Sequence, residues 1–113
     1  MSETKYFPTV EAIEKDAQVL DEILEPTPFQ RTANLSDIYD AEVYLKREDL
    51  QIVRSYKIRG AYNKIRTIDP ELVKNGIVCA SAGNHAQGVA FSCSKLKIMG
   101  SILITVTTPK QKI

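Results

Sequence analysis

Two short stretches hold residue types whose order and spacing suit chemistry. The first is Ser55-Tyr56-Lys57-Ile58-Arg59-Gly60-Ala61. A polar run ends at Ser55, and apolar residues recur at helical spacing from Ile58 onward, so Lys57 falls where a loop turns into a helix. A lysine placed there meets the positive end of the helix dipole, which disfavours its ammonium form. Tyr56 and Ile58 are expected to desolvate the amine, and the neighbouring charge of Arg59 is expected to push the same way. A neutral amine is the form that attacks carbonyl carbon in Schiff-base chemistry. The same spacing also suits a solvated surface lysine.

The second stretch is Ser81-Ala82-Gly83-Asn84-His85, between a β-branched apolar run and a return of helical spacing. Small residues let backbone N–H groups approach a ligand, and the helix start behind them favours an anion such as a carboxylate or phosphate. In open α/β sheets, ligands bind beyond the carboxyl ends of the strands, which is where this loop falls. An ordinary strand-to-helix loop, with Ser81 or Asn84 acting only as a cap, fits the same residues. His85 is the only histidine. A lone histidine is more often a structural hydrogen-bonder than a catalyst. With no cysteine or carboxylate at ligand spacing around it, no metal site is predicted.

The elements that must position these stretches follow from periodicity. Val10, Ile13, Ala17, Leu20 and Leu24 share one face of a helix predicted over 10–24, with Thr9 as its cap. Pro26 and Pro28 stop it and force an extended passage. A short helix or turn is predicted over 34–40, and a strand over 42–46. Ile58, Ala61, Tyr62 and Ile65 mark a helix that ends at Asp69-Pro70, and Asn75-Gly76 marks a turn. Ile77 to Ala80 reads as a buried parallel strand, Ala86 to Cys93 as a helix, and Ile102 to Val106 as a second buried strand. This alternation predicts an α/β fold with parallel strands and flanking helices. The chain stops soon after the last strand with no helix to cover it, which predicts a fragment of a larger domain.

Composition excludes several classes. With 113 residues, one small domain is expected. The 15 basic and 14 acidic residues leave a net charge of +1 and form no basic block, so neither nucleic acid nor a membrane surface is an expected partner. Met1 to Pro8 has no apolar run or cleavage site typical of a secretory signal. Cys79 and Cys93 lie in apolar segments and form no CxxC pair, so buried free thiols in a reducing compartment, the cytoplasm, are expected.

Taken together, the motifs resemble those of the serine/threonine dehydratases, a family of fold-type II (tryptophan synthase β-like) enzymes that use pyridoxal 5′-phosphate (PLP). Tyr44-Leu45-Lys46-Arg47-Glu48-Asp49-Leu50-Gln51 followed by Arg54-Ser55-Tyr56-Lys57-Ile58-Arg59-Gly60-Ala61-Tyr62 is similar to the family's cofactor-lysine signature. Ala80 to Ala90 is similar to its second signature. Thr107-Thr108-Pro109-Lys110-Gln111-Lys112-Ile113 continues that pattern, and Thr27-Pro28-Phe29 fits an early Thr-Pro segment. The resemblance covers about Ile13 to the last residue, and the Lys-Arg-Glu-Asp-Leu-Gln wording is nearest the biosynthetic threonine dehydratases.

The resemblance implies that residues 1–113 are the N-terminal part of a PLP-dependent catalytic domain. Lys57 would carry the cofactor covalently. Asn84 would hydrogen-bond the 3′-oxygen of its ring, and Tyr56 would flank the ring. Ser81, Ala82, Gly83, Asn84 and His85 would bind the substrate carboxylate through backbone N–H groups. The implied reaction is β-elimination of L-threonine, or of L-serine, giving 2-oxobutanoate and ammonia from threonine at the entry to isoleucine synthesis. The full-length parent would be a homo-oligomer. In the family the glycine-rich loop for the cofactor phosphate and the partner of the ring nitrogen lie later in the chain.

This sequence departs from the pattern in three places. Ile104-Thr105 stands where the family usually has Met-Pro, Lys97 replaces a usual glycine, and Met99 replaces a usual small or basic residue. A serine dehydratase, serine racemase or threonine synthase shares the chemistry up to loss of the α-proton. A non-catalytic remnant is the rival of a different class.

Overall fold

The computed structural model describes residues 6–108 and Lys110. Pro109 and residues 111–113 of the last motif, and the first five residues of the segment read for a secretory signal, lie outside the described residues.

Two units of backbone pairing organise the chain. Helix α1 (Val10–Asp21) leads to strand β1 (Phe29–Arg31), helix α2 (Ala33–Tyr39) and strand β2 (Tyr44–Lys46). β1 and β2 pair antiparallel, with Gln30 opposite Leu45. A 3-10 turn at Glu48–Leu50 opens the polar loop, and helix α3 (Lys57–Arg66) follows it. A short helix α4 (Pro70–Val73), strand β3 (Ile77–Ala80), helix α5 (Asn84–Leu96) and strand β4 (Gly100–Leu103) complete the order. β3 and β4 pair parallel, Ile77 opposite Gly100 through Ala80 opposite Leu103, so α5 is the crossover of a βαβ unit.

The core is thin and centres on α3. Ile58 is 0% exposed and packs with Leu20 and Leu24 of the α1 region, with Val53, Tyr62 and Phe91 around them. One and two turns on, Ala61 and Ile65 pack against Val89 and Cys93 of α5, over Ile77 and Cys79 of β3. The extensive contact of α3 with α5 therefore sets where the loop after β3 lies relative to the start of α3.

Several expectations are corrected by packing. The first helix ends at Asp21, and the N–H groups of Ile23 and Leu24 turn back to the Leu20 carbonyl at 3.1 and 2.9 Å. Its apolar face is buried only at Leu20 and Leu24, while Val10 and Ile13 are exposed; α3 reaches back along α1 to Asp16, which Arg66 bonds at 3.3 Å. Asp69-Pro70 begins α4 rather than ending α3: the Asp69 carboxylate accepts from the Glu71 N–H at 2.9 Å, and Pro70 holds the first helical position. The strand expected at 42–46 does not join the parallel pair; it pairs antiparallel with Phe29–Arg31, expected only as an extended passage. β4 lies at Gly100–Leu103, two residues before the strand expected at 102–106. Buried strands are found only in part, since Val78 is 69% exposed and Leu103 60% exposed.

Two turns explain residue choice. Gly76 has φ +96° and a Cβ there would lie 2.8 Å from the Met99 carbonyl oxygen, so the Asn75-Gly76 turn requires glycine. Lys97 ends α5 in the left-handed region at φ 58°. Glycine is the usual residue in that conformation, which is the physical sense of the glycine that the resemblance expects there.

Candidate functional site

Lys57 is the first residue of α3, and its side chain is exposed. Its Nζ lies 5.3 Å from the centre of the Tyr56 ring. That ring face attracts an ammonium group, the opposite of the desolvating role expected for Tyr56. Ile58 does not cover the amine either, because it points into the core.

Arg59 is also not a free charge beside Lys57. Its Nε and Nη2 donate to Glu48 Oε2 and Oε1 at 2.9 and 2.8 Å, a bidentate pair. The Thr27 hydroxyl donates to Glu48 Oε1 at 2.6 Å, and Lys46 Nζ donates to the Thr27 carbonyl at 2.6 Å. The Glu48 side chain is 14% exposed. The Arg59 guanidinium holds the Glu48 carboxyl below the usual carboxylate range, with Thr27 and Lys46 acting in the same direction and burial opposing them. Glu48 correspondingly raises Arg59.

The sign of the pH effect follows. A carboxyl whose folded pKa is depressed contributes stability that is present above its unfolded value, about 4.3 for glutamate, and lost as pH falls through the folded value. Glu48→Gln is therefore expected to lower the melting temperature at pH 7, with the gap to the unchanged chain closing below about pH 4. Melting both proteins from pH 7 to pH 3 checks this. A gap that stays constant across the range would show that the pair does not carry the effect.

The second stretch forms the turn into α5. Gly83 holds the position before the helix and has no side chain to cap it. Ser81 does that work from further back: its hydroxyl oxygen accepts from the Gly83 N–H at 3.4 Å and the Ala86 N–H at 3.2 Å. Asn84 and His85 begin the helix and are exposed, while Ser81, Ala82 and Gly83 are half-buried.

What brings the two stretches together is Gly88. A Cβ there would lie 3.2 Å from each of three backbone atoms of α3: Lys57 C, Lys57 O and Ile58 N. The helices thus touch backbone to backbone at the residue that carries the amine. Asn84 lies one turn before Gly88 on the same face, about 6 Å along the axis. Sequence reasoning assigned no role to Gly88 or Glu48. A glycine inside a helical pattern, which costs about 1 kcal/mol relative to alanine, was the available signal for the first.

A cleft of about 450 Å³ runs from Tyr56, Lys57 and His85 down between α3 and β3, past Gly60, Ala61, Ile77 and Cys79. Most of its lining is apolar, and the amines of Lys57 and Lys64 and the imidazole of His85 stand among it. A separate hollow of about 330 Å³ at the ends of β3 and β4 is lined by Ala80, Ser81, Ala82, Leu103, Ile104 and Thr105. The structure therefore puts Tyr56, Lys57 and His85 on one cleft and Ser81 and Ala82 on another. Cys93 is buried and Cys79 half-buried, both free thiols, and burial pushes the Cys93 thiol up. Among the described residues no helix is long and apolar enough to cross a membrane.

Known proteins resemble the chain in sequence and in fold. The family model for pyridoxal-phosphate dependent enzymes matches residues 20–113. The L-threonine dehydratase biosynthetic IlvA of Bacillus subtilis is 54% identical over 104 residues, which are 92% of this chain and 25% of the relative. That of Mycobacterium leprae is 50% identical over 107 residues, 93% of this chain and 25% of the relative. The chain thus spans about a quarter of the length of these curated relatives. The structure of maize serine racemase superposes with a TM-score of 0.85 at 29% identity, over 95% of this chain and 32% of the other. The processed form of threonine deaminase isoform 2 from Solanum lycopersicum superposes with a TM-score of 0.74 at 34% identity, over 97% of this chain and 31% of the other. The fold is thus a partial fold-type II domain, and the chain belongs to the family of pyridoxal-phosphate dependent enzymes.

Proposed function

We propose that these 113 residues are the N-terminal part of the catalytic domain of a PLP-dependent lyase that deaminates L-threonine, and that Lys57 is its cofactor lysine. The observation that carries this reading is the Gly88 contact, which sets the backbone of Lys57 one helical turn from Asn84. The residues fit the aldehyde end of the cofactor. An exposed primary amine lines a cleft, with an aromatic ring beside it and α5 packed on its backbone. We assign no residue of this chain to the cofactor phosphate or ring nitrogen.

When bound, PLP supplies an electron sink for the charge left on the substrate α-carbon. The chain's own residues do the rest. Lys57 Nζ would hold the cofactor and, once freed, would take the Cα proton of threonine. The Asn84 amide would hold the cofactor ring at its 3′-oxygen, and Tyr56 would flank it. The loop Ser81 to His85 orients the substrate carboxylate with backbone N–H groups. For the Gly83 donor this requires the Ser81 hydroxyl, which accepts from it at 3.4 Å, to give way. The net change is loss of ammonia from L-threonine, leaving 2-oxobutanoate. Such a step would act in the cytoplasm on free amino acid, L-serine being the alternative substrate, and the parent enzyme would be a homo-oligomer.

A second reading has its own support. Val78 and Leu103 of the β3–β4 pair remain uncovered, and the Lys57 side chain is exposed rather than enclosed. On this reading the chain alone is a catalytically inactive remnant. One experiment separates the two. The chain is incubated with PLP, reduced with borohydride, and mapped by mass spectrometry. A pyridoxyl adduct confined to Lys57 is the expected result. Adducts scattered over many lysines, or none, would establish that this chain does not assemble the site.

A further inference from the structure

The amine of Lys57 can be presented in one place only if the backbone that carries it is fixed. On the α5 side Gly88 provides the contact. On the loop side the fixing group is Glu48. It lies eleven residues before Arg59 and twenty-one after Thr27, and it bonds to both. The loop between Glu48 and Lys57 is tied down around it. The Arg47 N–H donates to the Pro28 carbonyl at 2.8 Å, the Gln51 side chain donates to the Glu25 carbonyl at 3.2 Å, and the Arg54 N–H donates to the Gln51 carbonyl at 2.7 Å. Gln51 and Ser55 are buried, so this loop is packed and not a free tether.

We propose that Glu48 is a positioning residue for Lys57. Held by Thr27 and gripping Arg59 with both carboxylate oxygens, it fixes the first turn of α3 and hence the point from which the amine emerges. A fork-to-fork pair restrains direction as well as distance, which a single hydrogen bond does not. The proposal rests on the reading of Lys57 as the cofactor lysine.

Two measurements on the 113-residue chain test it, the first without cofactor. In Glu48→Gln, which keeps shape and loses charge, amide hydrogens of Arg59, Gly60 and Ala61 are expected to exchange about tenfold faster, while those of α5 from Val89 to Cys93 stay unchanged. The second is the share of pyridoxyl label on Lys57 relative to Lys64 and Lys95 after borohydride reduction. It is expected to fall by about threefold or more in the variant. Faster exchange with an unaltered share would make Glu48 merely structural and overturn the proposal, as would unaltered exchange. Scattered label on the unsubstituted chain sinks the reading of Lys57 itself, and is recognised in that sample before any variant is made; it takes this proposal with it. If Glu48→Gln does not fold, Thr27→Val decides the matter. It removes the hydroxyl that holds Glu48 but keeps the ion pair, and is expected to lower the share on Lys57 in the same direction by a smaller factor. An unchanged share in that variant overturns the proposal.

Discussion

Ile58→Ala is expected to lower the unfolding free energy by about 3 kcal/mol. The side chain is 0% exposed and lies between α3 and the Leu20–Leu24 end of α1. Truncation removes the transfer free energy of three carbons. It also leaves a cavity that Leu20 and Leu24, themselves on a turn that bends back on α1, are poorly placed to fill. Because few side chains are buried here, that loss is a large fraction of the whole, given total stabilities of roughly 5–15 kcal/mol for ordinary domains. Urea unfolding at constant m-value measures it. Val10→Ala, at the exposed end of the same apolar face, is the control and should change stability by less than about 0.5 kcal/mol. Equal effects at the two sites would mean that α1 packs along its whole length, contrary to the structure.

Much of this arrangement was legible in the chain. Helical spacing located α3 and α5 and missed their ends by two or three residues, because both carry apolar positions on one side and their ends are set by caps. Asn75-Gly76 announced a turn, and only glycine fits there. The long motifs around Lys57 and Ser81 identified the family. What was not legible depends on partners far apart in sequence. The desolvation expected from Tyr56 and Ile58 assumed that neighbours in sequence cover the amine. At a helix start, successive residues point about 100° apart, so Ile58 faces the core and Lys57 does not. The charge of Arg59 was read as pressing on Lys57 because nothing local marks Glu48, eleven residues earlier, as its partner. The strand at Phe29–Arg31 was missed for a similar reason. Its three residues carry too little pattern to mark a partner for β2, whereas β3 and β4 flank a helix that can only be a crossover.

The contact that unites the two motifs makes the most demanding prediction. Gly88→Val is expected to cost about 3 kcal/mol and to abolish selective labelling of Lys57. The energy is a balance. Replacing a helical glycine by a residue with a side chain gains up to about 1 kcal/mol through the unfolded chain, so an exposed helix would be stabilised. Here the added Cβ meets the Lys57 carbonyl carbon, the Lys57 oxygen and the Ile58 nitrogen at 3.2 Å, and valine adds two methyl groups beyond it. All three are backbone atoms, which cannot rotate aside as a side-chain tip does. Their helix is held on the far side by Ile58 in the core and by Arg59 on Glu48, so α5 must move instead. Moving α5 carries Asn84 and the Ser81–His85 loop away from the amine. Gly88→Ala grades the effect: its clash is a few tenths of an ångström and its helix gain offsets part of the cost, so it should fall between glycine and valine in both readouts. Thermal unfolding and the pyridoxyl map measure the two together. A valine variant that is as stable as the unchanged chain and still labels Lys57 alone would show that the backbone contact does not set the site. Stability lost with selectivity intact would show that it holds the fold but not the amine.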